Sequence, residues 1–416
     1  MKYSAISLFT GAGGMDYGVE AAGIETAVAV EMDGWCCRTL RHNRPNWNVI
    51  EQVIEEVSSS ELLKGAGLKK KEADLLIGGP PCQPFSKSGY WVNGDAARLK
   101  DPRANTLREY MRVLEDTLPR AFILENVFGL AYKGKDEGLQ FLKESLIEIN
   151  RRKRTNYSFT WKVLNAADFG VPQIRERVFI VGSRDGKEFR FPEPRFFNQI
   201  RAGANDPSLE LFGEEERIPY RTTWDALHDL ESDDEKAVPS RVGGRWGVLL
   251  PSIPEGQNYL YHSERGDGVP IFKWRSRYWS FLLKLAKRLP SWTIQAQPGS
   301  AIGPFHWKNR RLTMREMARL QTFPDDIEIL GGVSEVQKQI GNAVPSAIGE
   351  MLGQEIRRQL FGDKVKGRQK LVPDRAPIAP VEEKVHPVPA EFEKMRVKPS
   401  SRASRDEVPR TNAESR

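Results

Sequence analysis

Ala5-Ile6-Ser7-Leu8-Phe9-Thr10-Gly11-Ala12-Gly13-Gly14 reads as a short buried strand running into a glycine-rich loop. Met15 to Ala22 follows with a helical pattern, so the stretch is strand, loop, helix. Glycines at such a junction let a ligand touch the backbone beside a helix N-terminus. Thr26-Ala27-Val28-Ala29-Val30 is a second strand, and it ends at Glu31. An acid about 20 residues after the first loop can take both hydroxyls of a ribose. The loop lacks the Lys-Ser/Thr of a P-loop and the full spacing of a GxGxxG fingerprint. Alone it fits a tight turn beside a surface acid equally well. Loop and acid together favour an adenosine-bearing cofactor.

Strands and helices go on alternating. Trp35 to Asn43 reads as a helix, Leu75-Leu76-Ile77 as a strand and Thr106 to Leu118 as a helix. Ala121 to Leu124 is a strand ending at Glu125, Leu139 to Asn150 a helix, and Val178 to Val181 a strand. The alternation predicts an α/β fold with a doubly wound, mostly parallel sheet. Ligands then gather beyond the carboxyl ends of the strands. Phe9, Glu31, Pro80-Pro81-Cys82 and Glu125 all fall there. The alternation stops near residue 184. Helices are expected again over Thr313–Gln321 and Ser346–Leu360. The expected organisation is a catalytic and cofactor-binding domain over 1–183 and 316–362, with a smaller irregular domain over 184–315. After 362 the chain is rich in Pro, Lys, Arg, Glu and Ser and has no periodicity. A disordered tail is expected over 363–416.

The 416 residues are 39% hydrophobic and 29% charged, which suits a core-forming soluble protein. No apolar run reaches the roughly 18 residues of a membrane span. The start of the chain is broken too early, at Gly11, for a signal peptide. Three cysteines, Cys36, Cys37 and Cys82, give no disulfide framework, and no Cys/His spacing suits a metal. A reducing, cytoplasmic setting is expected. The net charge is +7. Residues 265–319 concentrate it, with 12 Lys and Arg against Asp267 and Glu316. Phe272, Trp274, Tyr278, Trp279, Trp292 and Trp307 are interleaved there. Such a segment suits a polyanion such as nucleic acid, and a solvated basic face is the plainer reading.

Three motifs carry chemistry. Gly78-Gly79-Pro80-Pro81-Cys82-Gln83-Pro84-Phe85-Ser86 displays a thiol on a stiff, extended loop after a strand. A free cysteine is more often a small buried hydrophobe. In Glu125-Asn126-Val127 an acid closes an apolar strand, where burial would raise its pKa and keep it protonated. A helix-capping acid is the alternative. Gln173-Ile174-Arg175-Glu176-Arg177 puts two guanidiniums on one face by strand alternation, able to hold a carbonyl oxygen or join a salt-bridge ladder. Thiol, acid, cations and an adenosine cofactor suit one reaction. A thiolate adding at carbon 6 of cytosine makes carbon 5 nucleophilic, and carbon 5 takes a methyl group from a sulfonium. A thiol at pKa 8.5 is only about 3% ionised at pH 7, so nearby positive charge would help. The base has to leave the stack to be attacked.

At this point an ordered series of motifs resembles the DNA (cytosine-5)-methyltransferase family of the bacterial restriction-modification, type II kind. Ser7 to Gly14 is similar to its first cofactor motif, Gly79 to Ser88 to its nucleophile loop and Glu125-Asn126-Val127 to its acid motif. Gln173 to Val181 is similar to its paired-arginine motif, Arg311 to Pro324 to the motif after the recognition region, and Gln339 to Pro345 to its last motif. The resemblance implies a Rossmann-like S-adenosylmethionine-dependent methyltransferase core. It implies Cys82 as nucleophile, Glu125 at N3 and the amino group of the base, Arg177 at O2, and Arg175 in support. Phe9, Thr10, Gly11, Gly14, Glu31, Met32, Ile54, Pro81, Leu107, Asn342, Ala343 and Val344 would line the S-adenosyl-L-methionine site. Gln83, Ser86 and Ser88 would contact DNA. The 184–315 region would recognise a target in double-stranded DNA, whose methylation would protect it from a cognate endonuclease. A monomer is expected. One departure is visible. Val53 stands where the family usually has an Asp for the adenine amino group, which leaves a backbone group or Glu55.

Three other readings share some of these features. A tRNA cytosine-5 methyltransferase could use the same core, although the long region before 315 favours duplex DNA. A non-catalytic DNA-binding relative would leave Cys82, Glu125 and the arginines without a task. An NAD-linked oxidoreductase would explain the sheet but not Pro80-Pro81-Cys82.

Overall fold

A computed structural model describes residues 3–81, 105–127, 137–197, 218–230, 242–365 and 367–397. Cys82, Gln83, Ser86 and Ser88 therefore lie outside the described residues. Two compact units emerge. The first comprises Met1–Asp233, Arg288–Gln297 and Met314–Ile378; the second comprises Asp234–Lys287, Pro298–Thr313 and Ala379–Arg416.

In chain order the first unit begins β1 (Tyr3–Leu8), α1 (Gly14–Ala21), β2 (Ile24–Glu31), α2 (Gly34–Asn43), β3 (Asn48–Glu51), α3 (Ser59–Gly65) and β4 (Leu75–Gly78). It continues α4 (Asn105–Thr117), β5 (Ala121–Asn126), α5 (Glu137–Lys153), β6 (Ser158–Asn165), β7 (Gln173–Ile174) and β8 (Glu176–Ser183). Two short strands, β9 (Phe196–Phe197) and β10 (Ile218–Pro219), and helix α6 (Thr223–Leu227) follow. Strand β11 (Ser291–Trp292) and helices α7 (Met314–Leu320), α8 (Val333–Asn342) and α9 (Ser346–Gln359) complete it. Seven strands form one sheet in the order β3-β2-β1-β4-β5-β8-β6. The pairs from β3 through β5 are parallel, while β8 runs antiparallel to both β5 and β6. This is the expected doubly wound α/β sheet.

Alternation along the strands builds two cores. Leu75, Ile77, Ala121, Ile123, Phe179 and Val181 face one layer, joined by Met15 and Val19 of α1 and Ile348, Leu352 and Ile356 of α9. Leu76, Phe122, Leu124, Val178 and Ile180 face the other, against Leu62, Tyr110, Leu114, Leu142 and Leu146. Helix α2 is capped by Asp33, which accepts from the amides of Trp35 and Cys36, and its last turn carries Arg41 and His42.

The second unit has little regular structure. Leu249, Ile253, Tyr259, Phe272, Phe281 and Phe305 form its core. The expected small domain and this unit share 234–287 and 298–313. Described residues of 184–233 belong to the first unit instead, where Phe189 and Phe196 join its core.

Part of the expected tail, within 367–397, is anchored at a few points. Val372 is buried in the first unit's core, and Arg375 pairs with Asp225 at 2.7 Å. Glu350 of α9 accepts from the amides of Lys370 and Leu371. In the second unit Phe392 is fully buried, and Glu383 meets the buried Lys287 at 3.0 Å. Composition averaged over the tail hides this. Its apolar residues are few but fill gaps in existing cores, and its charges meet partners that burial would otherwise penalise. Residues 398–416 are outside the described set.

Candidate active site

A cavity of about 990 Å³ opens beyond the carboxyl ends of β1, β2, β4 and β5. Phe9, Thr10, Gly11, Gly14, Glu31 and Met32 line one part, Pro81, Glu125 and Arg177 another, and Asn342, Ala343 and Val344 a third. Ten of the twelve residues expected at the cofactor and two of the four expected in catalysis thus come together. The first loop is shaped by its backbone. Gly11 and Gly13 have φ of 56° and 83°, and Phe9 takes φ 54°, a strained value without a glycine's freedom. Beside Gly11 there is open space where a side chain would start. At Gly14 a Cβ would lie 2.3 Å from the Val344 carbonyl oxygen, so only glycine lets the last motif close on the first.

Glu31 binds the loop before any ligand does. Its Oε2 accepts from the Gly11 amide at 2.7 Å, and its Oε1 from Met32 and Asp33 at 2.9 and 2.8 Å. Burial raises its pKa, and those amides oppose the rise. Asp33 also lines the cavity and pairs with Lys338 of α8 at 2.7 Å. Lys338, Trp35 and Asp16 are cavity residues that the sequence reading did not single out. Asp33 carries a signal in sequence, an acid preceding a helix; Lys338 does not, because its role depends on a fold-distant helix.

Across the cavity the acid motif and the proline loop support each other. A Cβ at Gly79 would lie 2.9 Å from Glu125 Oε2, which explains the second glycine. Asn126 donates to the Pro80 carbonyl at 3.2 Å, so its side chain anchors the loop. Arg177 Nε lies 3.1 Å from Glu125 Oε1. Burial raises the Glu125 pKa, and Arg177 and then Arg175 pull it back. The direction matches the protonated acid expected there.

Both arginines act on Glu125, but of the two Arg177 lines the cavity. Arg175 lies between β7, which pairs with β11, and β8, which pairs in the main sheet. It is buried, donates to the Gly341 carbonyl at 2.8 Å and does not line the cavity. Burial and Arg177 push its pKa down. Among the described residues its Nε and Nη1 have no hydrogen-bond partner. Gln321 of the Arg311–Pro324 stretch donates to Ile340 and Ala343 carbonyls. Both residues therefore position the last motif.

Ile54 and Leu107 are buried in the core behind the cavity and do not line it. The Ile54 carbonyl is taken by Arg112 at 3.0 Å. Glu55 accepts from Asn105 at 3.3 Å. Neither Val53 nor Glu55 lines the cavity.

Residues 3–358 match the family model described as C-5 cytosine-specific DNA methylase. The chain is 40% identical over 377 residues to the type II methyltransferase M.SacI of Streptomyces achromogenes, covering 85% of this chain and 93% of that one. It is 46% identical over 234 residues to the type II methyltransferase M.AquIA of Picosynechococcus, covering 55% and 90%. The crystal structure of S. pombe Dnmt2 methyltransferase superposes with a TM-score of 0.53 at 16% identity, covering 86% of this chain and 99% of that one. That likeness concerns the fold.

Proposed function

The chain belongs to the C-5 cytosine-specific DNA methylase family, and from that premise we propose that it methylates carbon 5 of a cytosine turned out of duplex DNA. The observation that carries the reading is one cavity whose walls hold the Gly11–Glu31 loop on one side and the Glu125–Arg177 pair on the other. Its volume falls in the range of small-molecule sites. Glycine-lined backbone, a carboxylate and the apolar Phe9 and Met32 suit an adenosine. S-adenosylmethionine, when bound there, supplies an electrophilic methyl group on a sulfonium.

The remaining chemistry belongs to the chain. Pro81 lines the cavity, and Cys82 follows it in sequence. The Cys82 thiolate bonds to carbon 6, and the electrons of the 5,6 double bond move to carbon 5. Glu125 holds a proton at N3, and Arg177 meets the charge at O2. Carbon 5 would take the methyl group as its bond to the donor sulfur breaks and leaves a neutral thioether; the carbon 5 proton then passes to water, the 5,6 double bond re-forms, and the sulfur–carbon 6 bond breaks and returns the thiolate. Gln83, Ser86 and Ser88 contact the DNA beside the base. The second unit recognises the target. The methylated sequence is that of a cognate endonuclease, and the protein acts as a monomer. Among the described residues no helix is long and apolar enough to cross a membrane.

The test is a duplex whose target cytosine carries fluorine at carbon 5, where loss of the carbon 5 proton is blocked. The expected result is a stable adduct at Cys82, absent in Cys82→Ser, which still binds S-adenosylmethionine. A wild-type protein that forms no adduct on the duplex but methylates tRNA would falsify the reading.

A further inference from the structure

The second unit carries one surface feature that its own stability does not require. Lys273 to Trp279 runs as a loop in which every residue except Trp274 is exposed; Tyr278 is 82% exposed. The base of the loop is rigid. Phe272 and Phe281 flank it and pack edge to face at 5.9 Å. The Tyr259 hydroxyl donates to the Arg277 carbonyl at 2.8 Å and accepts from the Arg277 amide at 3.1 Å. Asn258 donates to the Trp279 carbonyl at 2.8 Å. Two of the loop's cations are laid on rings, Arg275 over Trp274 at 5.9 Å and Arg277 over Phe281 at 5.7 Å, and Arg265 from outside the loop also covers Trp274 at 5.5 Å.

The tip is a four-residue turn. The amide and hydroxyl of Ser276 both donate to the Lys273 carbonyl, at 3.2 and 2.8 Å. Arg275 is its third residue and has φ 54°. A turn with that geometry wants glycine at the third position, and arginine there is strained. An exposed residue held in a strained conformation on a rigid base points to a use outside the fold. Arginine presents a rigid planar fork that matches the O6 and N7 edge of guanine, whereas lysine reaches that edge with a flexible point charge.

We propose that Arg275 reads a guanine of the DNA target, with Lys273 and Tyr278 flanking it on the DNA. This rests on the reading of the second unit as the target-recognition unit. The strain makes the inference testable without loss of the fold, because Arg275→Gly relieves it. The target is first mapped by bisulfite sequencing of DNA from cells expressing the wild-type chain. Methyl transfer to that duplex, to variants changed at each base pair, and thermal melting are then measured for wild type, Arg275→Gly and Arg275→Lys.

The expected result is that Arg275→Gly melts no lower than wild type and loses about 10- to 100-fold in methylation of the target. It also loses its discrimination at one G·C pair. Arg275→Lys shows the same relaxed position. Unchanged rate and specificity in Arg275→Gly overturn the inference. So does Arg275→Lys with full wild-type rate and specificity, which shows that the arginine fork is not what reads the base. A wild-type chain that methylates no duplex overturns the proposed function and this inference with it, whereas an active wild type matched by Arg275→Gly overturns the inference alone.

Discussion

Asp16 shows how a single carboxyl can matter while hidden from the motifs. It lies in the first turn of α1, is 1% exposed, lines the cavity and accepts from Thr26 Oγ1 at 3.0 Å. Burial pushes its pKa up to about 6 from an ordinary 3.8. Between those values the folded protein keeps a proton that the unfolded chain has lost. Stability from this group is therefore fully present below about pH 4 and falls as pH rises to about 6. The difference amounts to about 3 kcal/mol. Urea unfolding at intervals from pH 4 to 7 should show wild type declining relative to Asp16→Asn, which keeps the oxygen that Thr26 donates to. Parallel curves for the two proteins would remove Asp16 as the cause. Glu31 and Glu125 were legible in the sequence because each closes an apolar strand, where the sheet itself aims the side chain. Asp16 sits inside a helix with no neighbour in sequence to mark it. The burial of Arg175 away from the cavity was not legible, because it lies where the chain passes from one sheet to another.

At the scale of elements, the crossing of α1 and α9 sets the cavity. Ser346 begins α9 two residues after Val344, so wherever α9 lies against α1, Asn342 to Val344 are brought to the first loop. Gly18 and Gly349 make the crossing close. A Cβ at Gly18 would lie 2.1 Å from the Ser346 carbonyl oxygen, and one at Gly349 2.6 Å from that of Met15. Gly18→Ala gains about 1 kcal/mol of helix propensity. Against that stands a contact with backbone that cannot rotate away, and overpacking costs about 1–3 kcal/mol. The clash wins, so Gly18→Ala should unfold at lower denaturant and bind S-adenosylmethionine more weakly. A variant as stable as wild type would show the crossing to be slack. Strands β1, β2, β4, β5 and β8 and most of their helices were legible because their apolar runs and turn residues agree. The antiparallel direction of β8 was not, since direction is decided by pairing with β5 and β6. Helix α8 was missed because only Val333, Val336 and Ile340 mark its apolar face, among polar residues that tolerate many conformations.

For the molecule as a whole, the C-terminal segment settles what counts as the protein. The second unit is assembled from three separate stretches of chain, and the last of them completes its core. Phe392 is 0% exposed and stacks on Trp246 at 5.5 Å. The amides of His386 and Val397 donate to the carbonyls of Pro251 and Pro270. Lys287, 2% exposed, is held by Glu255 at 2.6 Å and Glu383 at 3.0 Å. Cutting the chain after Ile378 removes Phe392 and Glu383 together. Loss of a buried Phe side chain alone costs about 3–5 kcal/mol, a large part of what a unit this size can hold in reserve. The first unit keeps Val372 and Arg375, which lie before the cut. The truncated chain should therefore still bind S-adenosylmethionine with wild-type affinity while losing methylation of the target duplex. Hydrogen exchange should locate the damage, with protection lost around Trp246, Tyr259 and Phe281 and kept in β1, β4 and β5. Full methylation by the truncated chain would return the segment to the status of a dispensable tail. Loss of protection in both units would mean that the first unit does not stand without the second.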